Sequence, residues 1–293
     1  EDPNDPIAYE ALDSLYSKAS KFPELSDVLG RRVEVEEDPD TKIEIGLRLA
    51  QLEETQLSRP QHAIDALLGV TSLQEGHPDA VVSLARLYER QAMWPELLDI
   101  LRVQAEQAGA ADLKVGFVHR AGSVLERELD DVLEALEMYR SALAIDPTHK
   151  PSLDALTRIS QLADYREQAA EILEPLLRAQ GLHDGLAALL QLRAEGTGDP
   201  FEKKTILRQL ADTHEQGRND PNAAFDTLRQ ALAEDSSDED IQNDIERLAG
   251  SLGQWGAAAD TFMARATCSR DPLVGRGLFV RTARIAEEHL NDD

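Results

Sequence analysis

The sequence repeats at a spacing of 72 positions, and this repeat constrains the fold more than any other feature of the chain. The segment FPELSDVLGRR, which begins at Phe22, returns as WPELLDILRVQ, which begins at Trp94. A second set has the same spacing: Lys42, Arg48, Leu57 and Ala63 return as Lys114, Arg120, Leu129 and Ala135. Half of this spacing is 36 residues, enough for two helices and a turn but too short for an independent core. The repeat therefore predicts an array of stacked units.

Each half of the repeat has the apolar spacing of a helical hairpin. Residues 78–91 carry apolar side chains at helical positions, namely Val81, Leu84, Ala85, Leu87 and Tyr88. A second amphipathic helix starts at Trp94, and Pro95 lies in its first turn, where a missing N–H has no cost. Aromatic residues make up only 4% of the chain, and no segment shows the alternation of a strand. The pattern predicts sixteen helices joined by short loops.

The charge of the chain excludes several classes of partner. There are 56 acidic and 30 basic residues, which gives a net charge of −26. Binding to nucleic acid or to an anionic bilayer needs a basic surface, so we expect no nucleic-acid partner. No apolar segment is long enough to span a bilayer, so we expect no direct membrane insertion. We expect a cytoplasmic protein, with the periplasm as the open alternative.

The residues that usually carry chemistry do not form a recognisable site. The seven histidines are scattered without an HExxH pair, and Cys268 is the single cysteine. The chain has no phosphate-binding glycine motif and no GxSxG motif. We therefore expect no catalytic residue, no cofactor and no metal, and predict that the protein is not an enzyme. The acidic clusters 34–40 and 234–240 lack the central glycine of a calcium loop, which favours helix capping instead.

The motif Leu84-Ala85-x-x-Tyr88 followed by Trp94 resembles the tetratricopeptide repeat (TPR). In a variant of this pattern with a loop one residue longer, a small residue pairs with another 13 positions on: Ala50 with Ala63, Gly122 with Ala135 and Ala211 with Ala224. The chain resembles the long multi-repeat TPR scaffold proteins of bacteria, although Asp13 and Thr157 replace the small residue of the first helix. The resemblance implies an all-α fold, a right-handed α-α superhelix (TPR-like solenoid) of about sixteen antiparallel helices in hairpins.

The repeat spacing breaks once. Ala135 and Ala224 are 89 positions apart instead of 72, and the excess lies in Leu182–Asp199. We therefore expect regular TPR-like hairpins in 1–181, an inserted helix and loop in 182–199, and further hairpins in 200–293, the last one truncated. The insertion is either a tolerated addition or a bend that docks a partner. Because the last hairpin lacks its second helix, we also expect more of the same chain beyond residue 293.

The resemblance implies that the first helix of each hairpin lines a groove that binds a protein or peptide partner. Carried over to this chain, it suggests these partner-binding residues: Arg86, Arg90, His119, Arg127 and Arg158. The alternative is a solvated face whose arginines pair with Glu89, Glu126 and Asp154. We expect a non-catalytic protein-interaction scaffold; the alternative is a regulatory or sensor domain of a larger multidomain enzyme or signalling protein.

Overall fold

A computed structural model describes residues 6–290, with side chains from residue 8 onward, and within this range sixteen α-helices alternate with short turns and no strand occurs. The helices are α1 (Pro6–Lys18), α2 (Phe22–Val35), α3 (Pro39–Thr55), α4 (Pro60–Leu73), α5 (Pro78–Arg90), α6 (Trp94–Gln107), α7 (Ala111–Arg127), α8 (Val132–Ile145), α9 (Lys150–Ile159), α10 (Arg166–Ala179), α11 (His183–Gly196), α12 (Pro200–Asp212), α13 (Pro221–Glu234), α14 (Glu239–Leu252), α15 (Trp255–Cys268) and α16 (Pro272–Ile285). A 3-10 turn, Ala163–Tyr165, precedes α10. Single π-helical turns, Thr213–Gly217 and Ala286–Leu290, extend α12 and α16.

Helices that follow one another along the chain pack together as hairpins. The helices α3 and α4 are in contact, as are α7 with α8 and α12 with α13. Each pair is joined by a connection of only a few residues, so its two helices are antiparallel. The predicted all-α fold, a TPR-like solenoid built from helical hairpins, is confirmed for the described residues.

Small residues allow the two helices of a hairpin to approach closely, as the sequence predicts. Ala63, Ala135 and Ala224 are completely buried. Gly122 of α7 has no room for a side chain, because a Cβ atom there would lie 2.8 Å from Cε1 of Tyr139 in α8. Since interiors are packed at crystal-like density, a larger side chain at such a position would push the helices apart.

The two acidic clusters cap helices, which confirms their predicted role. Asp38 accepts a hydrogen bond from the backbone N–H of Thr41 at 2.9 Å, at the start of α3. Asp238 accepts one from the N–H of Ile241 at 3.1 Å, at the start of α14. These carboxylates satisfy N–H groups that have no partner within the helix and lie at its positive end.

The chain divides into two units, with the boundary between Ser152 and Leu153, within α9. The first unit contains α1 to α8, and the second contains α10 to α16. Within the second unit, α11 contacts both α10 and α12, so the helix predicted at 182–199 is packed into the stack. Its origin as an insertion stays a prediction, as does the division at residues 181 and 200. Residues 291–293, at the predicted truncated hairpin, lie outside the described residues.

None of the helices in residues 6–290 combines the length and the apolar character that crossing a membrane requires.

Candidate partner-binding surface

Two of the five predicted site residues, Arg86 and Arg90, lie one turn apart on α5 and bind the same carboxylate. Arg86 donates from both Nη atoms to Glu54 of α3, and its Nη2–Oε2 distance is 2.6 Å. Arg90 donates to Oε1 of Glu54 at 2.8 Å. Both arginines are exposed, whereas only 11% of the Glu54 side chain is accessible. A single carboxylate therefore holds two guanidinium groups on the surface. We call these three residues, Glu54, Arg86 and Arg90, the Glu54 cluster.

The charges of this cluster do not cancel. The hydrogen bond from Arg86 lowers the pKa of Glu54, against the opposing effect of burial. The same bond raises the pKa of Arg86. Two guanidinium groups face one carboxylate, so the formal net charge of these three side chains is +1.

A cleft of about 410 Å³ adjoins the cluster and lies between α3 and α5. Its polar lining comprises Gln51, Glu54, Thr55, Asp79, Ser83 and Arg86, and its apolar lining comprises Leu47, Ala50 and Leu67. Val82 lies on the same helix as the arginines and is 60% exposed. The combination of a small apolar floor with convergent polar groups suits the side chains of an extended peptide.

The ion-pair partner of Arg86 differs from the predicted one. The sequence suggested Glu89 on the same helix, but Glu89 accepts instead from Arg120 of α7 at 2.8 Å. Arg86 pairs with a residue 32 positions earlier, and Arg120 with one 31 positions earlier. These sequence separations are close to the length of one 36-residue repeat. Acidic and basic residues about one repeat apart were therefore the sequence signal that could have identified these ion pairs.

The other three predicted residues have different surroundings. His119 is half-buried: its ring centroid lies 5.4 Å from that of Tyr139 and 5.2 Å from that of His149, and its Nδ1 lies 3.1 Å from Oγ of Ser152. Arg127 is exposed on α7 and forms no ion pair within residues 6–290. Arg158 is exposed on the part of α9 that belongs to the second unit. The structure thus brings Arg86 and Arg90 together, and a partner-binding role for all five stays a prediction.

Ion pairs between alternate helices also occur in the second unit. Arg247 of α14 donates to both carboxylate oxygens of Glu215, at 2.6 and 2.8 Å. Glu246 of α14 accepts from Arg281 and Arg284 of α16. Such pairs are therefore a general feature of how neighbouring repeats are joined. The Glu54 cluster adjoins a cleft that Glu54 and Arg86 line, and the Arg218–Asp184 pair of the second unit also lines a cleft.

The titratable groups do not gather into a metal-binding set within the described residues, where no cluster of three or more His, Cys, Asp or Glu side chains could hold an ion. The raised pKa of Asp212 is caused mainly by burial. The lowered pKa of His214 is also caused mainly by burial, with a contribution from the charge of Arg218.

Comparison with protein-family models finds no match, and comparison with curated proteins finds none either. Several solved structures do match. A tetratricopeptide repeat protein from Parabacteroides merdae has 13% identity and a TM-score of 0.35, and the match covers 94% of this chain and 99% of that one. YrrB, described as a TPR protein with an unusual peptide-binding site, has 16% identity and a TM-score of 0.28, with 74% and 98% covered. The TPR2AB domain of yeast Sti1, in a complex with pHSP90, has 11% identity and a TM-score of 0.34, with 85% and 100% covered. At these TM-scores, the description of the fold rests on the hairpins of this chain itself.

Proposed function

We propose that the protein is a non-catalytic interaction scaffold that binds an acidic segment of a partner protein on the wall formed by α3, α5 and α7. The observation that carries this proposal is the Glu54 cluster, in which two arginines share one carboxylate beside a cleft. A cytoplasmic location, with the periplasm as the alternative, belongs to the same proposal and is tested by cell fractionation.

The electrostatics favour a partner with a localised negative charge. The chain as a whole repels acidic molecules, so only a short acidic motif that reaches Arg86 and Arg90 would gain more than it loses. A carboxylate of the partner would join or displace Glu54, and the guanidinium planes suit bidentate binding. An apolar side chain next to that carboxylate would lie against Val82, which is exposed on the same helix.

The remaining predicted residues extend this surface within the proposal. Arg127 continues the wall on α7 and offers a guanidinium group without an ion pair among the described residues. His119 contacts Tyr139 and Ser152, so we assign it a supporting role in holding α8 and the turn before α9. Arg158 belongs to the second unit and stays a separate candidate for partner binding.

The experiment uses the chain as bait and compares charge-matched variants. R86A/R90A removes both arginines of the cluster. The control R102A/R140A removes two exposed arginines of α6 and α8, which form ion pairs outside the wall. Proteins captured by the wild type and by the control, but lost with R86A/R90A, are the wall-dependent partners. Thermal unfolding of all variants establishes that each is folded.

The substitution Glu54→Gln should change the binding affinity in the direction opposite to R86A/R90A. This variant frees both guanidinium groups from their carboxylate, so the affinity for an acidic segment of a captured partner should rise several-fold. R86A/R90A should lower the same affinity by at least about tenfold, and higher salt should reduce binding to the wild type. If a partner still binds R86A/R90A and its affinity is unchanged by Glu54→Gln, its binding surface lies elsewhere on the protein.

A further inference from the structure

Glu53 of α3 is a buried carboxylate of which one oxygen has no hydrogen bond. Only 2% of the residue is exposed. Its Oε1 accepts a hydrogen bond from the hydroxyl of Ser26 in α2, whereas its Oε2 accepts none from any described residue. Two basic side chains approach Oε2, but Nη1 of Arg59 at 3.9 Å and Nδ1 of His62 at 3.7 Å are beyond hydrogen-bond distance. Because a buried carboxylate oxygen is costly to leave without a donor, Oε2 suits a donor from another molecule.

Glu53 lies at the wall of a cavity between α2 and α4 that has an acidic lining. The cavity has a volume of about 520 Å³, and Ser26 and His62, which flank the carboxylate, line it as well. Four acidic side chains and one arginine line it, a formal net charge of −3 with histidine counted as neutral. These charged residues are Asp27, Arg31, Glu34, Glu53 and Asp65. Within the described part of the chain, neither Arg31 nor any of the three exposed carboxylates forms an ion pair, so the negative charge is accessible to a ligand.

A smaller and mainly apolar cavity continues the acidic one along α4. Its volume is about 260 Å³, and the lining residues that it shares with the acidic cavity are Leu49, Asp65 and Ala66. Its apolar wall includes Val70 and Leu73, and Lys42 is its basic residue. We call the two cavities together the α2–α4 groove. The groove is acidic near Glu53 and apolar near Val70, and its formal net charge is −2 when Lys42 is counted.

Two glycines line the α2–α4 groove, and packing requires neither of them. Gly30 of α2 lines the acidic part, and Gly69 of α4 lines the apolar part. No described atom lies within 4 Å of a Cβ atom added at either position. A methyl group there would project into open space at the groove, and alanine is the better helix former. Either end of the groove can therefore be narrowed without loss of folding.

The length and the chemistry of the groove define the segment that fits it. His62, which is next to Glu53, and Val70 are eight positions apart on α4, a distance of about 12 Å along the helix. An extended chain covers this distance in about four residues. At the acidic end, the planar guanidinium group of an arginine has enough donors to reach Oε2 and an exposed carboxylate together. The matching segment thus has an arginine and, about four positions away, an apolar side chain.

We propose that the α2–α4 groove binds an extended segment of a partner protein, whose arginine donates to Oε2 of Glu53 and whose apolar side chain packs against Val70 and Leu73. The net charge of −26 also attracts a basic segment from a distance. The groove and the cleft of the Glu54 cluster lie on different sides of α3, because consecutive residues of a helix point about 100° apart. The groove therefore binds its segment independently of any acidic segment at the α3–α5–α7 wall.

Short fluorescent peptides test the groove on the full chain. Each peptide has one arginine and one leucine about four positions apart, in either order, in a background of glycine and serine. We expect fluorescence anisotropy to show saturable binding that higher salt weakens. Replacing the arginine by glutamine should abolish the binding, and replacing the leucine by glycine should weaken it.

Glu53→Gln tests the buried carboxylate. The variant keeps the shape of the side chain and an oxygen for the Ser26 hydroxyl, but it removes the charge. It should lower the affinity for these peptides at least about tenfold. Glu54→Gln, the same change at the neighbouring position, is the control and should leave the affinity unchanged, as should R86A/R90A. Because both controls alter the Glu54 cluster, they distinguish a failure of this groove from a failure of the proposed function.

Gly30→Ala narrows the acidic part of the groove. Its control is Gly116→Ala, since Gly116 is equally open but lies on α7. We expect Gly30→Ala to weaken binding about fivefold or more and Gly116→Ala to have no effect, with both variants folded in thermal unfolding. The proposal is overturned if no peptide binds at about 1 mM, which would mean that solvent alone fills the groove. It is also overturned if Glu53→Gln binds like the wild type, or if Gly30→Ala and Gly116→Ala bind alike.

Discussion

At the scale of single residues, glycines of the same helix serve opposite purposes. Gly122 lies against Tyr139, a completely buried side chain whose hydroxyl donates to Glu126 at 2.7 Å. Gly116, also in α7, has no neighbour within 4 Å of an added Cβ atom. The difference lies in packing across the hairpin, because both positions have ordinary helical backbone.

Gly122→Ala and Gly116→Ala should therefore change stability in opposite directions. Gly116→Ala should raise the free energy of unfolding by about 0.5–1 kcal/mol, the gain in helix propensity. Gly122→Ala has the same gain in helix propensity, but the added methyl group is overpacked against the Tyr139 ring. The net effect should be a decrease of about 1–2 kcal/mol in the free energy of unfolding. Urea denaturation measures both, and a stabilised Gly122→Ala would show that α7 and α8 are less closely packed than described.

A second residue-scale feature is the ion pair of Asp235 with Lys204. The two atoms Oδ2 and Nζ are 2.7 Å apart, and this hydrogen bond is the main cause that lowers the pKa of Asp235 from 3.8 to about 2. Bonds from Ser237 contribute as well. The folded pKa lies below the ordinary value, so the stabilisation is present above about pH 4 and is lost as the pH falls towards 2.

Lys204→Met should reduce this loss of stability between pH 4 and pH 2. The Asp235 side chain is 37% exposed, so solvent screening limits the difference to less than about 1 kcal/mol. Urea denaturation at a series of pH values, on the wild type, Lys204→Met and Asp235→Asn, measures it. Identical pH profiles for the wild type and Lys204→Met would contradict the pair's contribution.

At the scale of helices, local capping decides where each element begins. Asp220 precedes α13, and its carboxylate accepts from the N–H of Ala223 at 3.0 Å. Asp226 lies on the same helix, is mostly exposed and, among the described residues, pairs within its own turn with Arg229. Asp220→Ala should lower the free energy of unfolding by about 1 kcal/mol, and Asp226→Ala by less than about 0.5 kcal/mol. Equal effects of the two substitutions in thermal unfolding would exclude capping as the cause.

The helices were predictable from the sequence because their signals are local. Apolar spacing, prolines in first turns and capping aspartates all act within a few residues, and they predict sixteen helices as observed. The ends of some helices were not predictable: α9 stops at Ile159, and π-helical turns follow α12 and α16. Such details depend on packing against neighbouring helices, which a local pattern does not contain.

The candidate site was predictable only in part, because contacts between different helices are not contained in a local sequence pattern. The arginines of α5 were identified from their position in the repeat, but Glu54, which binds both, lies on another helix 32 and 36 positions earlier. Side-chain pairing across repeats depends on the lateral offset of the helices, and the sequence specifies that offset only once the repeat length is known.

At the scale of the whole molecule, the net charge of −26 sets how stability responds to salt. The described residues form many Arg–Glu and Lys–Asp pairs, but exposed pairs contribute about 0–1 kcal/mol each, and salt weakens them. The 26 acidic residues in excess of the basic ones repel one another in the folded chain more than in the expanded unfolded chain. Repulsion over the whole surface should outweigh the loss of isolated pairs.

The Tm should therefore rise when salt is added to a dilute, low-salt solution. Most of the increase should occur by about 0.15 M, where the screening length is about 8 Å and the distant acidic groups no longer interact. Sodium chloride and choline chloride should act alike, because screening depends on ionic strength and not on the cation. Calcium chloride at equal ionic strength should add little, because no described cluster of acidic residues is arranged to hold an ion. The protein concentration is kept low so that any self-association does not contribute. A Tm that falls with added salt would mean that the ion pairs between repeats, such as Arg247 with Glu215, outweigh the repulsion of the excess acidic residues.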